Sequence, residues 1–136
     1  MRILPVIQHL IDNVALLSGR VEQAKSMTSL PDNEIKNSIP VAFVYSSVDT
    51  SPGMYVIDPS QQEVTVEFTV ILASKQIDIK AGIEHMEDLR DQVKAALIGW
   101  KIDANHRGIT FQSGALLDIS PRTVWWADTF SVKTII

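Results

Sequence analysis

The chain has 136 residues, the length of one domain, and its 46% hydrophobic content supplies a core that a disordered chain would lack. It contains no cysteine, which excludes a disulfide framework and a thiolate zinc site. Twelve Lys and Arg against sixteen Asp and Glu leave a formal net charge of −4 with no basic cluster, so the electrostatic footprint of a duplex-binding protein is missing.

Ile7, Leu10, Ile11, Val14 and Leu17 recur at helical spacing. They predict a helix from about Pro5 to Leu17, with Pro5 in the first turn and Gly19 as the stop. Arg2 and the apolar residues after it have the outline of a signal peptide, but Gln8, His9, Asp12 and Asn13 interrupt it. The reading is an amphipathic helix with no membrane span, in a protein expected to stay in the cytoplasm of the cell that makes it. Val21 to Leu30 reads as a short strand followed by a helical turn. Pro31, Asp32 and Asn33 mark a turn, and Pro40 opens a buried strand at Val41-Ala42-Phe43-Val44-Tyr45. A polar connection follows at about 46–62, read as a long loop or hairpin, with turn signals at Ser51-Pro52-Gly53 and Asp58-Pro59-Ser60.

Glu63 to Leu72 is the clearest strand. Val64, Val66, Phe68, Val70 and Leu72 share one face, and Thr65, Glu67 and Thr69 the other. Asp78 is a candidate N-cap for a longer second helix. Its apolar stripe is Ile79, Ile83, Met86, Leu89, Val93, Ala96, Leu97 and Trp100, while Lys80, Glu84, Glu87, Asp88, Arg90, Asp91 and Lys94 make a charged outer face. Gly99 lies near its end. Ile109 to Phe111 and Ala115 to Ile119 read as two strand pieces separated by Gly114, and Thr123 to Ile136 as a long closing strand. Strand parity puts Asp128 on the apolar face with Trp126 and Phe130, where it needs a nearby Arg or Lys or a bulge that turns it outward.

These elements give one α+β domain over 1–136: a single sheet of about four mainly antiparallel strands with two helices packed on one face. The opposite face, with Thr65, Glu67, Thr69, Trp125 and Lys133, is expected to meet water, and Trp125 to suit a subunit contact.

The chemistry-bearing residues do not converge in the sequence. His9, His85 and His106 fall on separate elements with no metal-ligand spacing, and His85 with Asp88 is one isolated pair. There is no Gly-x-Ser-x-Gly, and the scattered glycines form neither a P-loop nor a dinucleotide fingerprint. The aromatics are not interleaved with basic residues as a single-strand platform requires. The expectation is a non-enzymatic protein with no metal and no cofactor.

Four segments together resemble the tail terminator proteins of lambda-like and Mu-like tailed bacteriophages. They are Pro40-Val41-Ala42-Phe43-Val44, the alternating strand Val64 to Val70, Ala95-Ala96-Leu97-Ile98-Gly99-Trp100, and Gly114-Ala115-Leu116-Leu117-Asp118 followed by Val124-Trp125-Trp126-Ala127-Asp128-Thr129-Phe130. The resemblance implies a virion protein at the head-proximal end of the tail. It implies a ring, typically a hexamer, that caps the tail tube, stops its polymerisation and offers a surface to head-completion proteins. Genomic DNA would pass through the lumen without sequence-specific contact, helped by acidic lumen residues. Met54, Tyr55 and Ile57 in the 46–62 segment and Trp125 on the closing strand are the candidate interface residues. Two alternatives stand beside it: a small ligand-binding or regulatory module with a pocket between sheet and helices, and another head–tail joining protein.

Overall fold

The computed structural model describes residues 2–24, 40–50, 56–58, 61–75, 79–119 and 123–135. The first helix, α1 (Leu4–Asn13), carries Pro5 in its first turn and buries Val6, Ile7 and Leu10. It is shorter than its periodicity suggests, because Val14 is extended and Ala15–Leu17 tighten into a 3-10 turn before the chain reverses at Ser18-Gly19. That tightening keeps Leu17 in the core although the α-helical phase has ended.

Strand β1 (Val21–Gln23) pairs in parallel with β2 (Val41–Thr50). Strand β2 runs antiparallel to β4 (Gln61–Lys75), with one bulge between Ser46 and Val48. Between them β3 (Val56–Asp58) pairs with the start of β4. The segment read as a loop or hairpin at 46–62 is thus strand at both ends, with β2 continuing to Thr50 and β4 beginning at Gln61. Helix α2 (Ile79–Leu97) follows β4, and Gly99, at φ +82°, turns the chain away from it, a conformation glycine takes without steric cost. Strand β5 (Thr110–Ile119) pairs with β6 (Thr123–Ile135), and β6 pairs along its whole length with β4 without a register shift. The order across the sheet is β1-β2-β4-β6-β5, with β3 off this path. This is the expected single-sheet α+β architecture with five strands and a short sixth instead of four. The short strand read from Val21 is β1, and β3 is the strand that the sequence reading did not single out. The two pieces around Gly114 are one strand, β5, interrupted by irregularities at Phe111/Ser113 and Leu116/Asp118.

Both helices cover one face of the sheet. Val6, Leu10, Val14 and Leu17 from the first helical segment and Met86, Leu89, Val93 and Leu97 from α2 meet Val66, Phe68, Val70, Leu72, Phe130 and Val132 in one buried cluster. Phe68 and Phe130 are cross-strand partners whose rings stack with centroids 5.5 Å apart. The helices are joined by His9. Its Nε2–H donates to the Ala96 carbonyl at 2.9 Å, and its ring lies 3.7 Å from the Trp100 ring at 9°.

The opposite face departs from the expected wet surface. Its half nearest the end of β4 is a second buried cluster of Ala24, Val41, Phe43, Ile71 and Ala73, with Tyr45, Trp125 and Ala127 packed against it. Polar parity is kept only further along β4, where Thr69 and Thr129 exchange a hydroxyl hydrogen bond of 3.1 Å. The reason lies in β4 itself: the odd positions are Thr65, Glu67 and Thr69 and then Ile71 and Ala73, so one strand face changes character midway. Ile83 also departs from its expected place in the core stripe, being 38% exposed, whereas Met86, Leu89, Val93 and Leu97 are buried. Asp78, Pro31 to Asn33 and Pro121 lie outside the described residues.

Phe68→Ala should cost about 3–5 kcal/mol, because the stacked core pair cannot collapse over the cavity. Urea unfolding should show a lower midpoint with an unchanged slope. Ile83→Ala should shift stability by no more than about 0.5 kcal/mol in the same assay, because the side chain is at the surface.

Candidate functional site

The described residues with the strongest chemistry lie where α2 crosses β5 and β6. Asp128 sits in the interior of β6 with no solvent exposure. A carboxylate there needs a paired charge and several hydrogen bonds to offset its lost hydration. Arg90 supplies both. Its Nε donates to Asp128 Oδ1 and Oδ2 at 3.1 and 3.0 Å, and its Nη2 donates to Oδ1 at 2.8 Å. The Arg90 side chain is 15% exposed, and its guanidinium lies 4.2 Å from the Trp126 ring centroid. The planar fork suits this arrangement, since it pairs with the carboxylate at its edge and stacks on the indole with its face.

Gly114 completes the site from β5. It stands opposite Asp128 in the strand register, and a Cβ at this position would collide with Asp128 Oδ1 and Arg90 Nη2. Glycine fits here because of this close approach, and the adjoining Trp126 Nε1 is buried with no hydrogen-bond partner among the described residues. One turn beyond Arg90, Lys94 places its ammonium 4.5 Å from the Phe111 ring centroid. Arg90 was grouped with the charged outer face of α2; the structure turns it inward, because α2 packs with that flank over β5 and β6. The sequence parity of Asp128 did carry the signal, since it called for a basic partner, but the partner lies 38 residues away.

A second polar cluster closes the far end of the sheet. The loop after Trp100 runs back along β6 through Arg107 N–H to the Lys133 carbonyl and Ile135 N–H to the Asn105 carbonyl. His106 Nδ1 donates to Asp103 Oδ1 at 2.6 Å. That bond, with the Asn105 backbone N–H, holds the Asp103 carboxyl below its ordinary value. His106 Nε2 is buried and has no hydrogen-bond partner among the described residues. These residues, with Arg2, Pro5, Ile102, Thr134 and Ile135, line a cleft of about 420 Å³ beside the start of α1. It is bounded by the first turn of α1 and the last residues of β6. Among the described residues, no three His, Asp or Glu side chains converge as a metal site, and no helix is long and apolar enough to cross a membrane.

The four candidate interface residues fare differently. Met54 and Tyr55 lie outside the described residues. Ile57 belongs to β3, which falls between β2 and β4 in the chain and pairs with the start of β4. Trp125 is half-buried, with its ring centroid 6.3 Å from that of Phe43, so it packs within the second cluster of its own chain.

Arg90→Met should destabilise the chain by about 3–5 kcal/mol, since it strands a buried carboxylate. The double variant Arg90→Met/Asp128→Leu should recover most of that loss. Urea unfolding of the four-member cycle measures the coupling; additive single-site losses would show that the pair does not act as a unit.

The comparisons with known proteins agree with this architecture. No curated protein sequence matches the chain. Among solved structures, a chain of the virion of a native gene transfer agent (GTA) particle superimposes with a TM-score of 0.63 at 14% identity, covering 96% of this chain and 92% of that one. At that identity the likeness is one of fold. The model of the phage tail terminator protein family matches residues 2–136. The chain belongs to the phage tail terminator family, and with it to the structural proteins of the virion tail.

Proposed function

We propose that this protein is the tail terminator of a phage-type virion, acting as a ring-forming, non-catalytic cap. Subunits close into a ring, with a hexamer as the expected size, on the head-proximal end of the tail tube. The ring ends tube polymerisation and presents its other side to a head-completion protein. The observation that carries this reading is the family match over nearly the full length, 2–136, so that the helices, the sheet and the arm between β2 and β4 all fall within it.

The physical properties of the chain support the same role. A net charge of −4 without a basic cluster suits a lumen through which DNA passes, because phosphate-binding side chains would hold the DNA in place. The densest charge chemistry, Arg90 with Asp128, is fully engaged in holding α2 to the sheet and makes no demand for a substrate. The contact with the tube end is assigned to the arm between β2 and β4, through Met54, Tyr55 and Ile57. Trp125 has its packing role inside the subunit and is not needed for that contact.

The test is tube assembly with and without this protein. With it, tubes should stop at a uniform length and negative-stain images should show a ring at one end. Without it, tubes should overgrow. Deleting 52–58 should leave the circular dichroism spectrum intact and return the overgrown lengths. Normal length control by the folded deletion variant would remove the arm from the tube contact, and overgrown tubes in the presence of the intact protein would remove the terminator reading itself.

A further inference from the structure

The sheet ends in an unpaired strand. Strand β5 is the last in the order and pairs only with β6 among the described residues, so the outer side of a ten-residue strand, about 33 Å of backbone, has no partner. Natural edge strands are blunted by Lys, Pro, shortness or a covering element. The sequence of β5, Thr-Phe-Gln-Ser-Gly-Ala-Leu-Leu-Asp-Ile, has no Lys, Arg or Pro, and Asp118 is its one charge.

The helices leave this edge uncovered. Arg90 and Lys94 lie over Trp126 and Phe111, which fixes the flank of α2 that faces β5 and β6. Ile83 precedes Arg90 by two helical turns and projects from the same flank. Leu116 and Ile119 pair with Trp126 and Val124, whose side chains lie on the helix-covered face. All three remain exposed, at 38%, 47% and 39%, and Leu117 in the second bulge is 37% exposed. An apolar shelf therefore runs beside the free backbone edge. It accounts for the misplaced Ile83, which stands in the apolar series of α2 but not in this subunit's core.

We propose that the β5 edge, with Ile83, Leu116 and Ile119, is the surface on which a second copy of this chain docks through the other end of its sheet. This inference rests on the ring reading above. A head-to-tail ring needs two different patches on one subunit, and the two ends of a sheet are such a pair. The other end is β1, whose Glu22 and Gln23 are exposed and whose outer side pairs with no strand among the described residues. The strand directions also match. Strand β1 runs with β2, and three successive antiparallel pairings make β5 run against both. Rotation about an axis along the strands preserves that opposition, so β5 of one copy meets β1 of the next antiparallel. Closing the ring in this way gives each β1 a partner and pairs part of each β5 edge.

The native chain has no cysteine, so introduced thiols are unique. Gln23→Cys/Ser113→Cys, treated with a short bismaleimide under ring-forming conditions, should give a ladder of covalent multimers up to the ring size, and the single variants should give no ladder. Covalent dimers from Ser113→Cys alone, or rings in which the double variant gives no ladder, would overturn the head-to-tail edge contact. Leu116→Lys/Ile119→Lys should keep the native circular dichroism spectrum and lose ring mass in light scattering, down to the monomer. Full-mass rings from this variant would remove the edge contact and leave the ring standing. A wild-type chain that stays monomeric with and without tubes would remove both.

Discussion

A buried carboxylate in the middle of the closing strand sets the terms for the rest of this fold. Asp128 lies between Ala127 and Thr129 on β6, has no access to water and faces the apolar side of the sheet. It can remain charged there only if a cation reaches it with directed hydrogen bonds, and Arg90 does so with both of its available nitrogens on one edge. That requirement fixes three elements at once. It sets the rotation and height of α2, because Arg90 must hang over β6. It sets the residue opposite on β5, because only a residue without a Cβ leaves room for the guanidinium. It also places Trp126 under the guanidinium, where the indole covers a face that would otherwise be solvated. Apolar packing such as Phe68 on Phe130 supplies most of the burial, but it is non-directional, and the ion pair is what selects one docking of the helix over its neighbours.

The same constraint explains the lopsided shape of the helical layer. With α2 drawn onto β6, and with α1 and the 3-10 turn joined to it through His9–Ala96 and Leu16–Gln92, the helices cover the sheet as far as β6 and reach β5 only through the side chains of Arg90 and Lys94. Among the described residues, strand β5 is held by its hydrogen bonds to β6, by Phe111 against Phe130 and by Arg90 and Lys94 over Gly114 and Phe111. Ile83 is left at the surface, as are Leu116 and Ile119. The apolar periodicity of α2 thus serves two partners: the core of its own subunit and, in the ring, the neighbour.

The fold was largely legible in the sequence because its strongest signals are periodic. The alternation from Val64 to Leu72 gave β4 and its inward face, and the Met86, Leu89, Val93, Leu97 stripe gave α2. What periodicity could not give was everything decided by long-range pairing. Strand β3 has three residues, too few for an alternation to register, whereas the short strand read from Val21 is present as β1. The two pieces of β5 merge because β6 supplies a continuous template across both irregularities. The apolar half of the second face was hidden by reading β4 from its Thr and Glu positions, when Ile71 and Ala73 continue the same parity. For the site, strand parity marked Asp128 as needing a cation, but Arg90 looked like one more member of a charged helix face. Only its position relative to β6, a tertiary fact, separates it from Glu87 or Asp91. The resemblance carried by the Gly-Ala-Leu-Leu-Asp and Trp-Trp-Ala-Asp-Thr-Phe segments spans β5 and β6, the strands on which Gly114, Trp126 and Asp128 sit.

A free edge of this length raises a physical question, since the same feature that pairs with a neighbour in a ring would also pair indiscriminately in solution. The answer lies in the two irregularities at Phe111/Ser113 and Leu116/Asp118. A bulge adds twist and leaves a residue out of the ladder, so an incoming strand finds a broken row of donors and acceptors instead of a straight one. Spontaneous pairing is weakened, and a contact of this kind becomes favourable when something else holds the copies side by side. The end of a tail tube is such a template, because it converts successive additions into neighbour contacts at high effective concentration without any new bond being formed. An edge that is apolar enough to close a ring and bulged enough to resist doing so early lets the template, not the protein concentration, decide when the ring forms.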